Sequence, residues 1–183
     1  MSIIIGIISG IGILIALLLI IALFVKKEYA IEREIVINQP LQKVFGYIKY
    51  LKNQDNYSVW NKLDPAMQKT YTGTDGTVGF MYAWDSTNKQ AGKGTQEIRS
   101  VEEGKKIGMG LHFIRPFDGL ANAYMSTTAM AADQTKVKWG IDSKMKYPMN
   151  IMLLFMNMDS MMGKDLEGGL GSLKKILEND AQH

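Results

Sequence analysis

The chain begins with an unbroken run of apolar side chains. From Ile3 to Val25 no position is charged, and nearly all are Ile, Leu, Ala, Val or Gly. A helix of about 20 residues crosses the hydrocarbon core of a bilayer, which is about 30 Å thick. A secretory signal peptide instead has a basic start and an apolar core of roughly 7–15 residues. Because no basic side chain precedes this long run, the pattern predicts an uncleaved transmembrane anchor.

Beyond residue 28 the pattern takes on the periods of a folded domain. Isoleucines alternate with glutamates over residues 29–37, which predicts a strand. Apolar residues three and four apart predict a helix after Pro40. Further alternation between turns predicts six more strands, over residues 67–72, 78–84, 95–101, 107–113, 121–130 and 137–141. A final change of period predicts a long helix over residues 150–178, bent or broken near Gly163 or the Gly168-Gly169 pair.

This order of elements defines the fold class and the domains. One antiparallel sheet has to bury its apolar face, and the long C-terminal helix is the element large enough to cover it. We therefore predict a single α+β domain over residues 29–179. Residues 1–28 form the anchor and its basic flank, and residues 180–183, which include His183, form a tail.

Charge and composition exclude several functions. The net charge is +3, and the basic residues alternate with acidic ones instead of forming the stripe of a nucleic-acid binder. The chain has no cysteine, which excludes disulfides, thiolate metal sites and thiol nucleophiles. It also lacks a zinc-protease HExxH motif, a phosphate-binding glycine loop and a Ser/His/Asp arrangement. We expect no metal and no cofactor.

Charged residues beside the anchor predict its orientation, and small residues within it bear on self-association. Lys26 and Lys27 follow the apolar run, and no Lys or Arg precedes it. The positive-inside rule then places the domain in the cytoplasm. Small residues spaced along the anchor, including Gly6 and Gly10, form a small-xxx-small pattern that lets two helices approach closely. Such glycines also arise from composition alone, so a homodimer through the anchor stays open.

Several short motifs, spread over the predicted domain, together resemble a known superfamily. They are Gln39-Pro40 with Val44-Phe45, Trp60 with Asp64-Pro65, residues 79–84, Gly92-x-Gly94, Phe113-x-x-Pro116, Thr135-x-Val137-x-Trp139, and Gly169-Leu170 through Leu173-Lys174 to Glu178. In this combination and spacing, residues 29–178 resemble the SRPBCC superfamily, which includes START domains and polyketide cyclase/dehydratase-like proteins. The resemblance implies a helix-grip fold, in which a curved sheet wraps around the C-terminal helix and leaves a deep apolar cavity. It does not specify an activity, because the fold hosts carriers, cyclases and chaperone activators.

The candidate ligand-binding residues are the aromatic and methionine-rich positions expected to face the space between sheet and helix. Methionine is flexible and polarizable, which suits a pocket that accepts variable apolar shapes. The alternative is that the same side chains simply fill a core. The candidates are Phe80, Tyr82, Trp84, Met109, Leu111, Phe113, Tyr124, Trp139, Met152, Phe155, Met156 and Met162.

Few polar groups are candidates for orienting a ligand or for catalysis in the space between the sheet and the C-terminal helix. Tyr82, Tyr124 and Asp159 are the candidates for orienting a ligand. Asp159 either points at the sheet, where burial would raise its pKa and suit it to acid–base catalysis, or is solvated or paired with a lysine. His112 is expected on the face of its strand opposite to its apolar neighbours, which indicates a surface position. Residues 149–162 are too few to span a bilayer but apolar enough to touch one.

Three functions remain open from the sequence. The leading hypothesis is a membrane-tethered binding module for a small apolar or lipid-like ligand, acting as carrier, sensor or chaperone. The second is a polyketide cyclase/dehydratase-like enzyme, which we rank lower because no acid–base set is visible. The third is a protein-interaction domain that uses the groove.

Overall fold

A computed structural model describes residues 2–179 of the chain, so the predicted tail of residues 180–183 lies outside the described residues. The helices are α1 (Ser2–Phe24), α2 (Leu41–Ile48), the one-turn α3 (Gln54–Tyr57) and α4 (Val59–Lys62), and α5 (Met158–Asn179). Two 3-10 turns cover Leu51–Asn53 and Met149–Leu154. The strands are β1 (Glu28–Ile37), β2 (Gln68–Thr72), β3 (Met81–Asp85), β4 (Lys93–Glu102), β5 (Lys106–Arg115), β6 (Gly119–Ala131) and β7 (Gln134–Lys144).

All seven strands form one antiparallel sheet in the order β1-β7-β6-β5-β4-β3-β2. Each strand from β2 to β6 pairs with the next strand in the chain, and β1 joins the far edge beside β7. The register aligns Ile31 with Ile141 and Met109 with Ala123, so the alternating apolar residues share the face that α5 covers. The predicted α+β helix-grip fold is confirmed.

One end of the space between sheet and α5 is a solid core. Helix α2 inserts Val44, Phe45 and Ile48 there, and each is buried almost completely. The C-terminal half of α5 adds Leu173 and Leu177 from the other side. This end is closed because both helices present apolar stripes of period 3.6 to the same part of the sheet.

The predicted bend of the last helix lies at a different place. Helix α5 is continuous through Gly163 and the Gly168-Gly169 pair, so the predicted break there is wrong. The interruption comes earlier, at residues 155–157, where the side chain of Asn157 accepts the Ser160 N–H at 2.9 Å and caps the start of α5. Gly169 serves close packing instead, since a Cβ there would lie 2.7 Å from Trp139 Cζ3.

Helix α1 is held to the domain at its C-terminal end. Its residues Ile3–Phe24 are long and apolar enough to cross a membrane. The Asn150 side-chain amide donates to the backbone carbonyls of Ala22 at 2.7 Å and Val25 at 3.0 Å, and the Tyr147 hydroxyl donates to Leu19 O at 3.4 Å. The two Asn150 bonds satisfy carbonyls at the end of the helix, which otherwise lack partners. The orientation of the domain relative to α1 is therefore set by contacts and not only by the connecting residues.

Candidate ligand-binding cavity

The end of the sheet opposite α2 encloses a cavity of about 690 Å³. Its walls are the inner faces of strands β3 to β7, the start of α5 and the short helices before β2. Its mouth is bordered by the β5–β6 loop and by residues 149–157, which we call the rim segment. Small-molecule sites typically occupy about 300–1,000 Å³, so this cavity has the size of a ligand site.

Eight of the twelve residues predicted from the sequence line this cavity. They come from three strands, from the rim segment and from the first turns of α5, as the strand parities and helical spacing indicated. They are Tyr82, Trp84, Leu111, Phe113, Trp139, Met152, Met156 and Met162.

Phe80 and Met109 face inward but do not line the cavity. Phe80 is 1% exposed and stacks on Tyr71 with ring centroids 6.1 Å apart. Met109 is buried beneath two glutamine side chains. Strand parity identified their face correctly, but it does not indicate where the packed core ends and the cavity begins.

Tyr124 and Phe155 are not in the cavity either, for different reasons. Tyr124 has the parity opposite to the buried Ala123 and Met125, so its ring covers Gly140 on the outer face of the sheet. Its hydroxyl donates to Glu32 Oε2 at 2.5 Å. Burial, followed by the bond to Glu32, raises the pKa of Tyr124 to about 12. The placement of Tyr124 at the ligand was therefore wrong.

Phe155 points away from the cavity and is 79% exposed. It lies in the non-helical residues that precede the Asn157 cap, so the helical spacing that predicted its direction does not apply there. Its predicted place at the cavity is also wrong, and its neighbours are the end of α1 instead.

Two glutamines form a polar patch on the cavity wall that the sequence analysis missed. Gln54 and Gln96 are 3% and 6% exposed, and both line the cavity. Their amide groups donate to the Met109 sulfur at 3.8 Å and 2.9 Å. Thioether sulfur is a weak acceptor, so these amides retain hydrogen-bonding capacity. Gln96 could have been found from its parity with the buried Ile98, whereas Gln54 lies in a polar stretch without periodicity.

Tyr82 adds a hydroxyl to the same wall. It donates to the Met67 sulfur at 3.6 Å and accepts from the Asn61 amide at 3.4 Å. Asn61 in turn donates to Asp55 Oδ1 at 2.7 Å. Burial raises the pKa of Tyr82, so its hydroxyl is neutral at physiological pH and acts as a hydrogen-bond donor or acceptor.

Asp159, the candidate acid or base, does not line the cavity. Its two carboxylate oxygens accept from the Arg33 guanidinium, at 2.9 Å each. Arg33 also donates to Glu167 at 2.6 Å and so ties the edge strand β1 to α5. The hydrogen bonds from Arg33 lower the pKa of Asp159. Of the two alternatives for Asp159, the inward carboxylate with a raised pKa is wrong, and the carboxylate is paired instead, with an arginine and not a lysine.

The remaining ionisable groups lie at the mouth or outside it. Arg115, Asp118, Lys144 and Lys146 border the opening. His112 is exposed, as predicted, and its Nε2 lies 2.8 Å from Asp118 Oδ1. Within residues 2–179 no group of three His, Asp or Glu side chains could hold a metal ion. The cavity is thus apolar inside, with neutral polar groups on one wall and charges at the opening.

Sequence comparisons identify no relative of this chain. No family model matches it, and no curated protein matches it.

Comparison with solved structures places the fold among Bet v 1-like helix-grip proteins. Ara h 8.0201 is 15% identical, with a TM-score of 0.56 over 83% of this chain and 99% of that one. Norcoclaurine synthase from Thalictrum flavum, in complex with dopamine and hydroxybenzaldehyde, is 10% identical, with a TM-score of 0.61 over 87% and 92%. DynU16, a protein of the dynemicin biosynthetic locus, is 13% identical, with a TM-score of 0.56 over 81% of this chain and 47% of that one. Identities this low establish the fold and not the activity.

Proposed function

We propose that this protein is a membrane-tethered binding module for a small apolar or lipid-like ligand, acting as carrier, sensor or chaperone. The observation that carries the proposal is the cavity of about 690 Å³, lined by aromatic and methionine side chains and charged only at its mouth. Transfer of an apolar molecule from water into such a site contributes roughly 25 cal/mol per Å² of buried apolar surface. Binding is then driven mainly by desolvation of the ligand.

The polar wall suggests that the ligand carries one neutral polar group. A carbonyl or hydroxyl oxygen would be a stronger acceptor for the Gln54 and Gln96 amides than the Met109 sulfur is. A charged group at that depth would be costly, because no charged side chain among residues 2–179 lines the interior. The favoured class is therefore an apolar molecule with a carbonyl, ester or hydroxyl group.

Structural relatives support a ligand-binding function. The norcoclaurine synthase structure holds dopamine and hydroxybenzaldehyde, two small aromatic molecules, in a protein of the same fold. Together with the sequence motifs, this supports assignment of residues 29–179 to the SRPBCC superfamily.

Tethering by α1 would keep the cavity near a membrane and raise the local concentration of membrane-derived ligands. Two further lysines lie near the basic flank of α1. The Met145 N–H donates to Lys27 O at 2.8 Å, and this bond brings Lys144 and Lys146 close to Lys27. A cluster of lysines at one end of the span favours the cytoplasmic side for the domain. A homodimer through Gly6 and Gly10 stays a prediction, and both positions are open to a partner helix.

Catalytic turnover is the second candidate function. Its support is Tyr82, whose hydroxyl reaches the cavity and is linked through Asn61 to Asp55. A tyrosine of raised pKa can donate a proton to a developing oxyanion. Turnover abolished by Tyr82→Phe, with ligand affinity retained, would support an enzyme over a carrier.

The test is mass spectrometry of full-length protein purified from its host in a mild detergent. We expect a co-purifying apolar molecule in the wild type and its loss in Ala123→Phe, which fills the cavity floor. Ala129→Phe, on the exposed end of the same strand, is the matched control and should retain the ligand. An empty wild type that also binds nothing from a panel of lipids and polyphenols would refute the proposal. It would favour the third alternative, a groove for a protein partner.

A further inference from the structure

The rim segment lies at the level where α1 would leave a bilayer. The 22 residues of Ile3–Phe24 rise about 33 Å as a helix, close to the hydrocarbon thickness of about 30 Å. Tyr147 bonds to Leu19 O, and Asn150 bonds to Ala22 O and Val25 O. Leu19 lies about 7 Å before Phe24 along the helix axis. Leu19 therefore lies inside the apolar segment. A domain that contacts Leu19 must touch the bilayer surface when α1 spans the bilayer.

The side chains presented at that level are apolar. Leu154 and Phe155 are 56% and 79% exposed, and they follow one another at the tip of the rim segment. Adjacent large apolar side chains this exposed are unfavourable in water and mark contact with a partner or a membrane. Lys26 lies beside them, where it could meet a lipid phosphate.

A second groove runs between α1 and the rim segment. Ile21, Phe24 and Val25 form one wall, and residues 153–157 form the other. Tyr29, Met156 and Met158 line both this groove and the main cavity. These three side chains therefore lie between the two spaces, and two of them are flexible methionines.

We propose that this groove holds an acyl chain of a bilayer lipid and is the lateral portal to the cavity. This inference rests on the proposed ligand-binding function and identifies the source of the ligand as the bilayer. Helix α1 is then one wall of the portal as well as an anchor. Asn150 is a positioning residue that keeps the rim segment against α1. The methionines at the junction rearrange to admit a chain, with no bond made or broken.

The first test asks whether the rim segment enters the bilayer. The chain has no cysteine, so Phe155→Cys provides a unique site for an environment-sensitive dye in the full-length protein. In phosphatidylcholine vesicles we expect blue-shifted emission and quenching by spin-labelled lipid. Met130→Cys is the control, because Met130 is 55% exposed at the opposite end of the sheet. Equal, water-like emission from both sites would overturn the proposal.

The second test measures ligand loading. Full-length protein is reconstituted in phosphatidylcholine vesicles that contain a phosphatidylcholine with a photoreactive acyl chain, and the yield of crosslinks to cavity residues is followed over time. Leu154→Asp with Phe155→Asp should slow crosslinking by about tenfold or more. Met130→Asp, an equally drastic change elsewhere, should leave the rate unchanged.

A fluorescent fatty-acid methyl ester added to detergent-solubilised protein separates the two proposals. Binding from detergent solution, together with unchanged loading from vesicles in the Leu154/Phe155 variant, overturns the portal alone. Absence of binding from both sources overturns the ligand-binding function, and the portal with it. Binding from solution with slowed loading from vesicles supports both.

Discussion

The two ends of the space between sheet and α5 are built on the same strands, yet one is solid and the other is hollow. At the closed end, α2 supplies Phe45 and Ile48 between the sheet and the leucines of α5. At the open end, the first turns of α5 present Met158 and Met162 to the cavity, and no residue of α2 lines it. The difference lies in the inserted helix and not in the sheet.

This contrast also appears in the residue types. Leucine and isoleucine at the closed end have few rotamers and pack to a definite shape, which is how interiors reach crystal-like density. Methionines cluster at the open end, where an adaptable wall is compatible with variable occupants. We infer that the closed end stabilises the fold and that the open end is free to serve binding.

The largest difference between the two ends is expected in the free energy of unfolding when side chains of α5 are shortened. Leu173→Ala at the closed end should lower the free energy of unfolding by about 2–5 kcal/mol, because Leu173 is fully buried and leaves a cavity. Met162→Ala should cost clearly less, since its side chain already borders empty space. Urea unfolding of full-length protein in detergent measures both. Equal losses would show that the open end is as tightly packed as the closed one.

The boundary between the two ends lies at Trp139, which touches α5 at Gly169. Gly169→Ala should destabilise the fold by about 1–3 kcal/mol, the usual cost of overpacking, because its Cβ would lie 2.7 Å from the indole. The displaced indole should also change tryptophan fluorescence.

Gly171→Ala is the matched control, two residues further along the same helix. A Cβ there meets nothing within 4 Å, so alanine should be neutral or stabilise by up to about 1 kcal/mol. Similar destabilisation by both variants would show that helix flexibility, and not contact with Trp139, is responsible.

Polar recognition should be specific to the open end. Gln96→Leu should weaken binding of a carbonyl-containing ligand by up to about tenfold, the value of one hydrogen bond. Binding of a hydrocarbon analogue should be unchanged or stronger. Gln68→Leu, on the exposed face of β2, is the control and should alter neither. Isothermal titration with the two ligands distinguishes a hydrogen bond from a general loss of fold.

The smallest effect is expected at the ion pairs between β1 and α5, because these pairs lie outside both the closed end and the open end. Hydrogen bonds from Arg33 hold the folded pKa of Asp159 below its ordinary value of 3.8. Its contribution to stability is therefore present above pH 4 or so and is lost as the pH falls through the folded pKa. Asp159→Asn should lower Tm slightly at pH 7 and leave it unchanged at strongly acidic pH.

Asp159→Asn also tests the discarded catalytic role. Because the carboxylate does not line the cavity, ligand binding and any turnover should survive the substitution. Loss of turnover without loss of Tm would contradict the structural role assigned to Asp159.

The sequence alone determined the apolar N-terminal helix, the strand parities and the face of α5 that meets the sheet. Each of these depends on a local period of apolar side chains, which the backbone geometry of a helix or strand converts directly into a face. That is why eight of the twelve predicted residues line the cavity. The prediction for Tyr124 was wrong because its own strand places it on the outer face, opposite Ala123 and Met125.

Only the tertiary structure decided where the core ends and what lies opposite each face. Gln54 and Gln96 meet over Met109, Arg33 reaches Asp159, and Asn150 binds the end of α1 although 128 residues separate it from Ala22. A local pattern specifies the direction of a side chain but not its partner, because the partner depends on how distant elements pack. The cavity therefore follows from the packing of α2 and α5 on one sheet, and its place beside α1 follows from the contacts of α1 with Tyr147 and Asn150.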